Sequence, residues 1–353
     1  MTYGIGRQKT KGTAVNCGDY IASTSTGQEG GLAIIGYPNF DPGLNIIDTR
    51  KATGVPYRKT IEYLQGDKDP TISFKMDATI LNLILIISSL VGDSIDEADL
   101  SVYEKIFTIY SSMPSYTGRS SDTLADTTLY TLYQNTGVAN ESIRITDAIC
   151  SSMTFSGAEG ESWQVTSDWM GAKYETDVDC SSGSHDFTIP TTQNTSLMFR
   201  DAYIRLGGGS NLEVSSLSLT ATSNLVAKHQ ASGRGSDQEY PNEFLWQDFT
   251  VSGSLVIPWN GNNATYIDKF IDGSGGRPQY TLLEISNQSE YTVNAAGDYL
   301  FKSNIRFTGI TREGDDEQDL NISFEGVGDG TNPVFRCEIA DDQDWGFPHE
   351  EPA

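Results

Sequence analysis

Asn45-Ile-Ile-Asp-Thr-Arg-Lys-Ala-Thr-Gly54 returns as Asn224-Leu-Val-Ala-Lys-His-Gln-Ala-Ser-Gly233 with conservative exchanges. The second stretch starts 179 positions after the first, from Asn45 to Asn224. The same offset carries Asp69 onto Asp248, Thr71 onto Thr250, Ile72 onto Val251 and Ser73 onto Ser252 without a gap. A fixed period outranks any local pattern, so the chain is read as one structural unit present twice.

Working outward, residues 71–79 alternate, with Ile72, Phe74, Met76 and Ala78 on one side and Thr71, Ser73, Lys75 and Asp77 on the other. That period of two predicts a half-buried strand. Ile80–Val91 is apolar at helical spacing and stops at Gly92, which predicts a buried helix too short to span a bilayer. Leu32–Ile35 and Lys105–Tyr110 read as strands. Ser152–Gly157 and Ser162–Trp169 read as a hairpin with Trp163, Val165, Ser167 and Trp169 on one face. In the second copy, Val214–Thr220 and Thr250–Ile257 are strands and Tyr266–Ile271 takes the place of the helix. Gln279–Ile285 is matched to Lys105–Tyr110, and Phe307-Thr308-Gly309 to Phe155-Ser156-Gly157. Leu320, Ile322 and Phe324 are matched to Trp163, Val165 and Ser167.

The fold class that follows is mainly β, a β-sandwich or partly open barrel with one flanking helix, duplicated in tandem. The expected organisation is an N-terminal arm over 1–30, a first domain over 31–173, a linker over 174–199, a second domain over 200–337 and an acidic tail over 338–353.

The chain has 353 residues and a formal charge of −25, from 48 acidic and 23 basic residues. Such a surface repels phosphates and excludes tight DNA binding, although repulsion serves a surface that DNA must slide past. Cys17, Cys150, Cys180 and Cys337 lack metal-site spacing and are too few for a disulfide scaffold. The first residues hold no apolar run, so a soluble protein made in the cytoplasm is expected.

No catalytic constellation, phosphate loop or cofactor motif stands out. His185, His229 and His349 sit near no nucleophile motif, and Gly207-Gly208-Gly209 lacks the lysine and helix of a phosphate loop. The acidic runs Asp315-Asp316-Glu317 and Asp341-Asp342 lack EF-hand spacing. An acidic glycosidase would need two facing carboxylates, and no spacing singles out a pair. No enzyme, cofactor or metal is therefore expected.

Charge is unevenly placed. Thr49–Arg58 and Lys228–Glu243 are polar loops where basic residues gather: Arg50, Lys51, Arg58 and Lys59, then Lys228, His229 and Arg234. Basic loops on an acidic body suit head-to-tail contact between copies. From Glu313 to Ala353 there are 13 acidic residues against one basic, Arg336. On the strand Asp319–Glu325 the apolar side is Leu320, Ile322 and Phe324, which leaves Asp319 and Glu325 outward; Asp77 and Asp168 take the same side of their strands. These four acids are candidates for the wall of a repelling channel, with an ordinary solvent face as the alternative.

The segment around Asp147–Gly171, the strand, polar loop and strand over Leu217–Gly253, and Phe301–Gly328 ending in Ile-Ser-Phe-Glu-Gly-Val-Gly resemble long-tailed, siphovirus-like phage tail tube proteins with two fused tube domains. The resemblance implies a β-sandwich with a flanking helix whose sheets join edge to edge into a ring around an inner barrel. It implies three two-domain chains per pseudo-hexameric ring, with Thr49–Arg58 and Lys228–Glu243 reaching the next ring. Implied partners are other copies of the chain, a tape-measure protein, a tail terminator, tail-tip proteins and transiting genomic DNA, with no membrane. The rival reading is a two-domain β-rich tail-tip adhesin using Trp163, Trp169, Trp246, Trp259 and Trp345 as a glycan-binding face.

Overall fold

The computed structural model describes residues 2–7, 34–35, 38, 40–51, 59–91, 95–99, 102–109, 129–135, 138, 141–178, 195–229, 240–241, 243–259, 280–313, 319–328 and 332–341. In the first half these form β1 (Thr2–Arg7), β2 (Phe40–Asp41), β3 (Leu44–Lys51), β4 (Lys59–Lys68), β5 (Thr71–Asp77), helix α1 (Ile80–Val91), β6 (Ile95–Asp99), β7 (Val102–Ile109), β8 (Tyr130–Asn135), β9 (Ser142–Ala158), β10 (Gln164–Met170) and β11 (Lys173–Val178). The second half holds β12 (Tyr203–Leu206), β13 (Ser216–Lys228), β14 (Glu243–Pro258), β15 (Tyr280–Ser286), β16 (Tyr299–Glu313), β17 (Asp319–Gly326) and β18 (Phe335–Asp341).

The strands build one large antiparallel sheet that does not close, in the order β2-β5-β10-β9-β13-β14-β17-β16-β18-β7-β6. The β9 strand makes the turn between layers. Its first part pairs with β8 and β11, and its second part with β10 and β13. Asp147, in the left-handed region at φ 53°, sits where the partners change. A residue of that conformation breaks the pleat and lets one long strand serve two layers. β16 repeats the device, pairing with β15 and β18 at its start and β17 at its end.

Helix α1 fills the space between the layers, and all twelve of its residues are buried. Its first turn is capped, the Asn82 N–H donating to Thr79 Oγ1 at 3.2 Å. Its buried hydroxyls are also used, since Ser89 Oγ accepts from the Cys150 N–H at 2.9 Å. Beside it lies an aromatic cluster: Phe155 stacks on Trp163 at 4.2 Å and on Phe301 at 4.9 Å between ring centres.

The ladders show which strands of the two halves correspond. β5 pairs with β10 as β14 pairs with β17, and Val165 opposite Met76 becomes Ile322 opposite Leu255. The matching of Leu320, Ile322 and Phe324 to Trp163, Val165 and Ser167 is the register of these ladders. Phe74 lies opposite Ser167, whereas its counterpart Gly253 lies opposite Phe324, so the bulky ring has changed strands at constant volume. A Cβ on Gly253 would sit 2.5 Å from Phe324 Cζ and 2.2 Å from the Ser218 carbonyl oxygen.

Several expected equivalences are corrected. The counterpart of β15 is β8, not Lys105–Tyr110, because β8 and β15 flank β9 and β16 in the same way. Lys105 lies instead on β7, which pairs with β18 of the second half. Phe307, opposite Phe324, answers to Met153 opposite Ser167, not to Phe155. The N-terminal arm contributes β1, paired with β8 as β12 is with β15. The linker begins inside β11, and the acidic tail begins inside β18. Leu32–Ile35 supplies an isolated bridge, Ile34 to Met76. The Tyr266–Ile271 helix lies outside the described residues.

Candidate assembly interface

The two halves meet strand to strand. Seven residues of β13, Ser216 to Thr222, pair with Ala158 to Ser152 of β9, so the inner sheet runs without a break from one copy to the other. Both stretches alternate hydroxyl with apolar residues, and the apolar set (Met153 and Phe155; Leu217, Leu219 and Ala221) is buried. The hydroxyls turn to the other face, where Thr154 Oγ1 meets Thr220 Oγ1 at 2.9 Å across the junction.

Following the ladders sideways gives the composition of that open face. One row reads Lys75, Thr166, Thr154, Thr220, Ser252, Glu325, Arg306. The next reads Asp77, Gln164, Ser156, Ser218, Ser254, Ser323, Gly309. The candidates Asp77, Asp168, Asp319 and Glu325 all lie on this face, spread across it. Asp168 accepts from Ser152 Oγ and Asp77 from Ser162 Oγ, each at 2.9 Å, while Glu325 pairs with Arg306. The described surface is thus a field of hydroxyls with a few acids, partly offset by Lys75 and Arg306. Sequence analysis did not single out the hydroxyls, although the Ser-x-Thr-x-Ser alternation at 152–156 carried the signal.

The hydroxyl-bearing face is bounded by two borders among the described residues. Beyond Arg306, β16 pairs on one side only, with β17, among the described residues. At the other border, β2 and the Ile34 bridge pair with β5, their one strand partner among the described residues, and Ile35 is exposed. A sheet border that is open on one side among the described residues can serve as a template for another chain.

The basic candidates divide. Arg50 and Lys51 end β3 opposite Thr60 and Lys59 of β4, and Lys228 ends β13 opposite Glu243. Arg58 and Arg234 lie outside the described residues. His229 is drawn to the first half: its Nε2 is 2.8 Å from Asp69 Oδ1 and its Nδ1 3.7 Å from Asp67. Tyr240 Oη donates to the Tyr174 carbonyl oxygen at 3.0 Å, so the base of this hairpin is strapped to the other copy.

The glycan-face expectation loses two of its members. Trp163 and Trp169 are fully buried, and Trp259 lies beneath the Arg312 guanidinium, 4.6 Å from its ring centre. Trp345 and the Trp246 side chain fall outside the description. Cys150 and Cys337 are free and buried, and burial pushes both thiols well above their ordinary range. Among the described residues no cluster of three metal-ligating side chains occurs, and no helix is long and apolar enough to cross a membrane.

No curated protein matches the chain. The family model described as phage tail tube protein matches residues 20–328, most of its length, and with a β-sandwich of this kind the chain belongs to the phage tail tube proteins of the virion tail.

Proposed function

We propose that three copies of this chain form a pseudo-hexameric ring and that stacked rings make a hollow tail tube with the hydroxyl-rich face toward the lumen. The observation that carries this reading is the β9–β13 junction, a finished example inside one chain of the joint that the β2 and β16 borders can make with another. Transferring its register by the two-copy correspondence sets Phe40 opposite Phe307 of the next chain and Asp41 opposite Arg306. The apolar pair continues the buried side of the sheet and the charged pair its open side. Closing all edges around an axis removes the aggregation-prone borders, and a heterologous contact repeated along that axis propagates a filament.

The role is mechanical, without a catalytic step. The lumen wall works by hydration and mild net negative charge, so DNA finds no basic cluster to bind and no apolar patch to stick to. A tape-measure protein occupies the lumen before DNA, and terminator and tip proteins meet the ends. Electron microscopy of the purified full chain tests the reading. Hollow tubes with threefold rings are expected; compact monomers under all salt and initiator conditions would refute it.

A further inference from the structure

We propose that His229 is a proton-operated strap between the two halves of the chain. The doubly protonated ring bridges Asp69 and Asp67 and holds the base of the β13–β14 hairpin to the first half; the strap slackens when the second proton leaves. The Nε2 atom lies 2.8 Å from Asp69 Oδ1 and the Nδ1 atom 3.7 Å from Asp67 Oδ1. Asp67 is near the end of β4 and Asp69 just beyond it, so one ring stands between two acids of the other half. An ionised carboxylate only accepts hydrogen bonds, and a neutral imidazole has a single N–H. The neutral ring therefore serves one acid and turns a bare lone pair toward the other. Nδ1 is that atom: it is buried and has no hydrogen-bond partner among the described residues. A second proton supplies the missing N–H, and Asp67, 59% exposed, has room to swing in and accept it.

The anchor of the strap is rigid. The Asp69 N–H donates to the Gly43 carbonyl oxygen at 3.2 Å, and the Gly43 N–H donates to Asp41 Oδ1 at 2.8 Å. Gly43 is at φ 62°, and a Cβ there would meet the Asp69 carbonyl oxygen at 2.0 Å, so the two backbone segments are pressed together. Other titratable or charged groups line the same seam. Lys68 lies over the Tyr240 ring, 5.0 Å from its centre, and Tyr240 Oη donates to the Tyr174 carbonyl oxygen of β11. Asp41 comes from β2, and Lys228 precedes His229 at the end of β13. Of these side-chain types only imidazole ordinarily changes its charge between about pH 5 and 8. The opening repeat sets His229 against Arg50, so the first copy carries a permanent cation where the second carries one that can be switched off.

The test is amide hydrogen exchange of the unassembled full chain at residues 225–228 and 243–246, each rate corrected for its intrinsic pH dependence. Its outcome does not depend on ring formation. Opening of the hairpin base is expected to be about three- to tenfold rarer at pH ~5.5 than at pH ~8, the scale of two partly exposed ion pairs. His229→Gln, and separately Asp67→Asn with Asp69→Asn, is expected to abolish that difference and leave opening at its alkaline level. His229→Arg, which installs the residue of the first copy, is expected to hold opening near its acid level at both pH values. His185→Gln with His349→Gln is expected to keep the wild-type difference. Equal opening of the wild type at the two pH values would overturn the proposal. So would a difference that survives in His229→Gln or in the double aspartate variant, or one that disappears with His185 and His349.

Discussion

Phe155→Ala probes the continuity of the two copies. The ring is fully buried on β9 and lies opposite Leu219 of β13. It stacks on Trp163 from the first half at 4.2 Å and on Phe301 from the second at 4.9 Å, with Tyr299 edge-on at 6.3 Å. Truncating a buried phenylalanine costs about 3–5 kcal/mol through lost transfer free energy and the cavity left behind. The aromatic pairs add ~0.5–1.5 kcal/mol each, partly recovered as Trp163 relaxes. A net loss of about 4–5 kcal/mol is expected, a third or more of a typical domain's stability. The assay is urea unfolding of the unassembled chain, followed in parallel by tryptophan fluorescence and far-UV circular dichroism. With a slope of ~3 kcal/mol/M the midpoint falls by about 1.3–1.7 M. Because the ring touches both halves, both probes shift together in one transition. A loss below ~1.5 kcal/mol, or two transitions of which only one moves, would refute a shared core.

Further expectations follow from particular contacts. Gly253→Ala places a methyl against the Ser218 carbonyl and the Phe324 ring, so a loss of about 2–3 kcal/mol is expected; Phe324→Leu relieves only the ring and restores part of it, read by thermal denaturation. Burial holds the Tyr291 hydroxyl up to about 12 despite Arg205 over its ring. A raised folded value means stability is full below pH ~10 and falls between about 10 and 12 by up to ~1.4 kcal/mol per unit; Tyr291→Phe abolishes that slope in alkaline unfolding. Burial raises Glu175, but Arg144, 2.6 Å away, and Lys173 outweigh it and hold the carboxyl below its ordinary value. Its contribution is present above pH ~4.3 and lost as pH falls through the folded value, so Glu175→Gln flattens the acid limb of the stability curve. Arg306→Glu sets an acid opposite the neighbour's Asp41 and beside its own Glu325, and sedimentation is expected to show monomers where the wild type gives trimers.

The helix and the strand alternation were legible because each rests on local period. Ile80–Val91 is apolar all round and is buried all round, and Ile72, Phe74 and Met76 face the core as their spacing requires. Correspondence between copies was legible at the ungapped offset through Ser73 and Ser252, and failed where insertions intervene. Lys105–Tyr110 has a plausible strand composition, but only the ladder shows that it pairs with β18 rather than taking the place of β15. The outward acids were read from alternation. The hydroxyl rows between them were passed over because serine and threonine carry no local signal of which strand lies beside them.

The sequence by itself determined that a β-rich unit occurs twice, that one face of each strand is apolar, and that basic residues gather in two corresponding polar segments. These are properties of neighbours along the chain, and burial of every second side chain follows from the pleat. Tertiary structure alone decided that the copies share a single sheet through β9 and β13, that β7 crosses to the far half, and that His229 turns inward to Asp69. Such pairings join residues far apart in sequence, and many registers satisfy the same alternation. The choice among them is made by volumes and charges that meet only in the folded chain, as where Phe324 fills the space that Gly253 leaves.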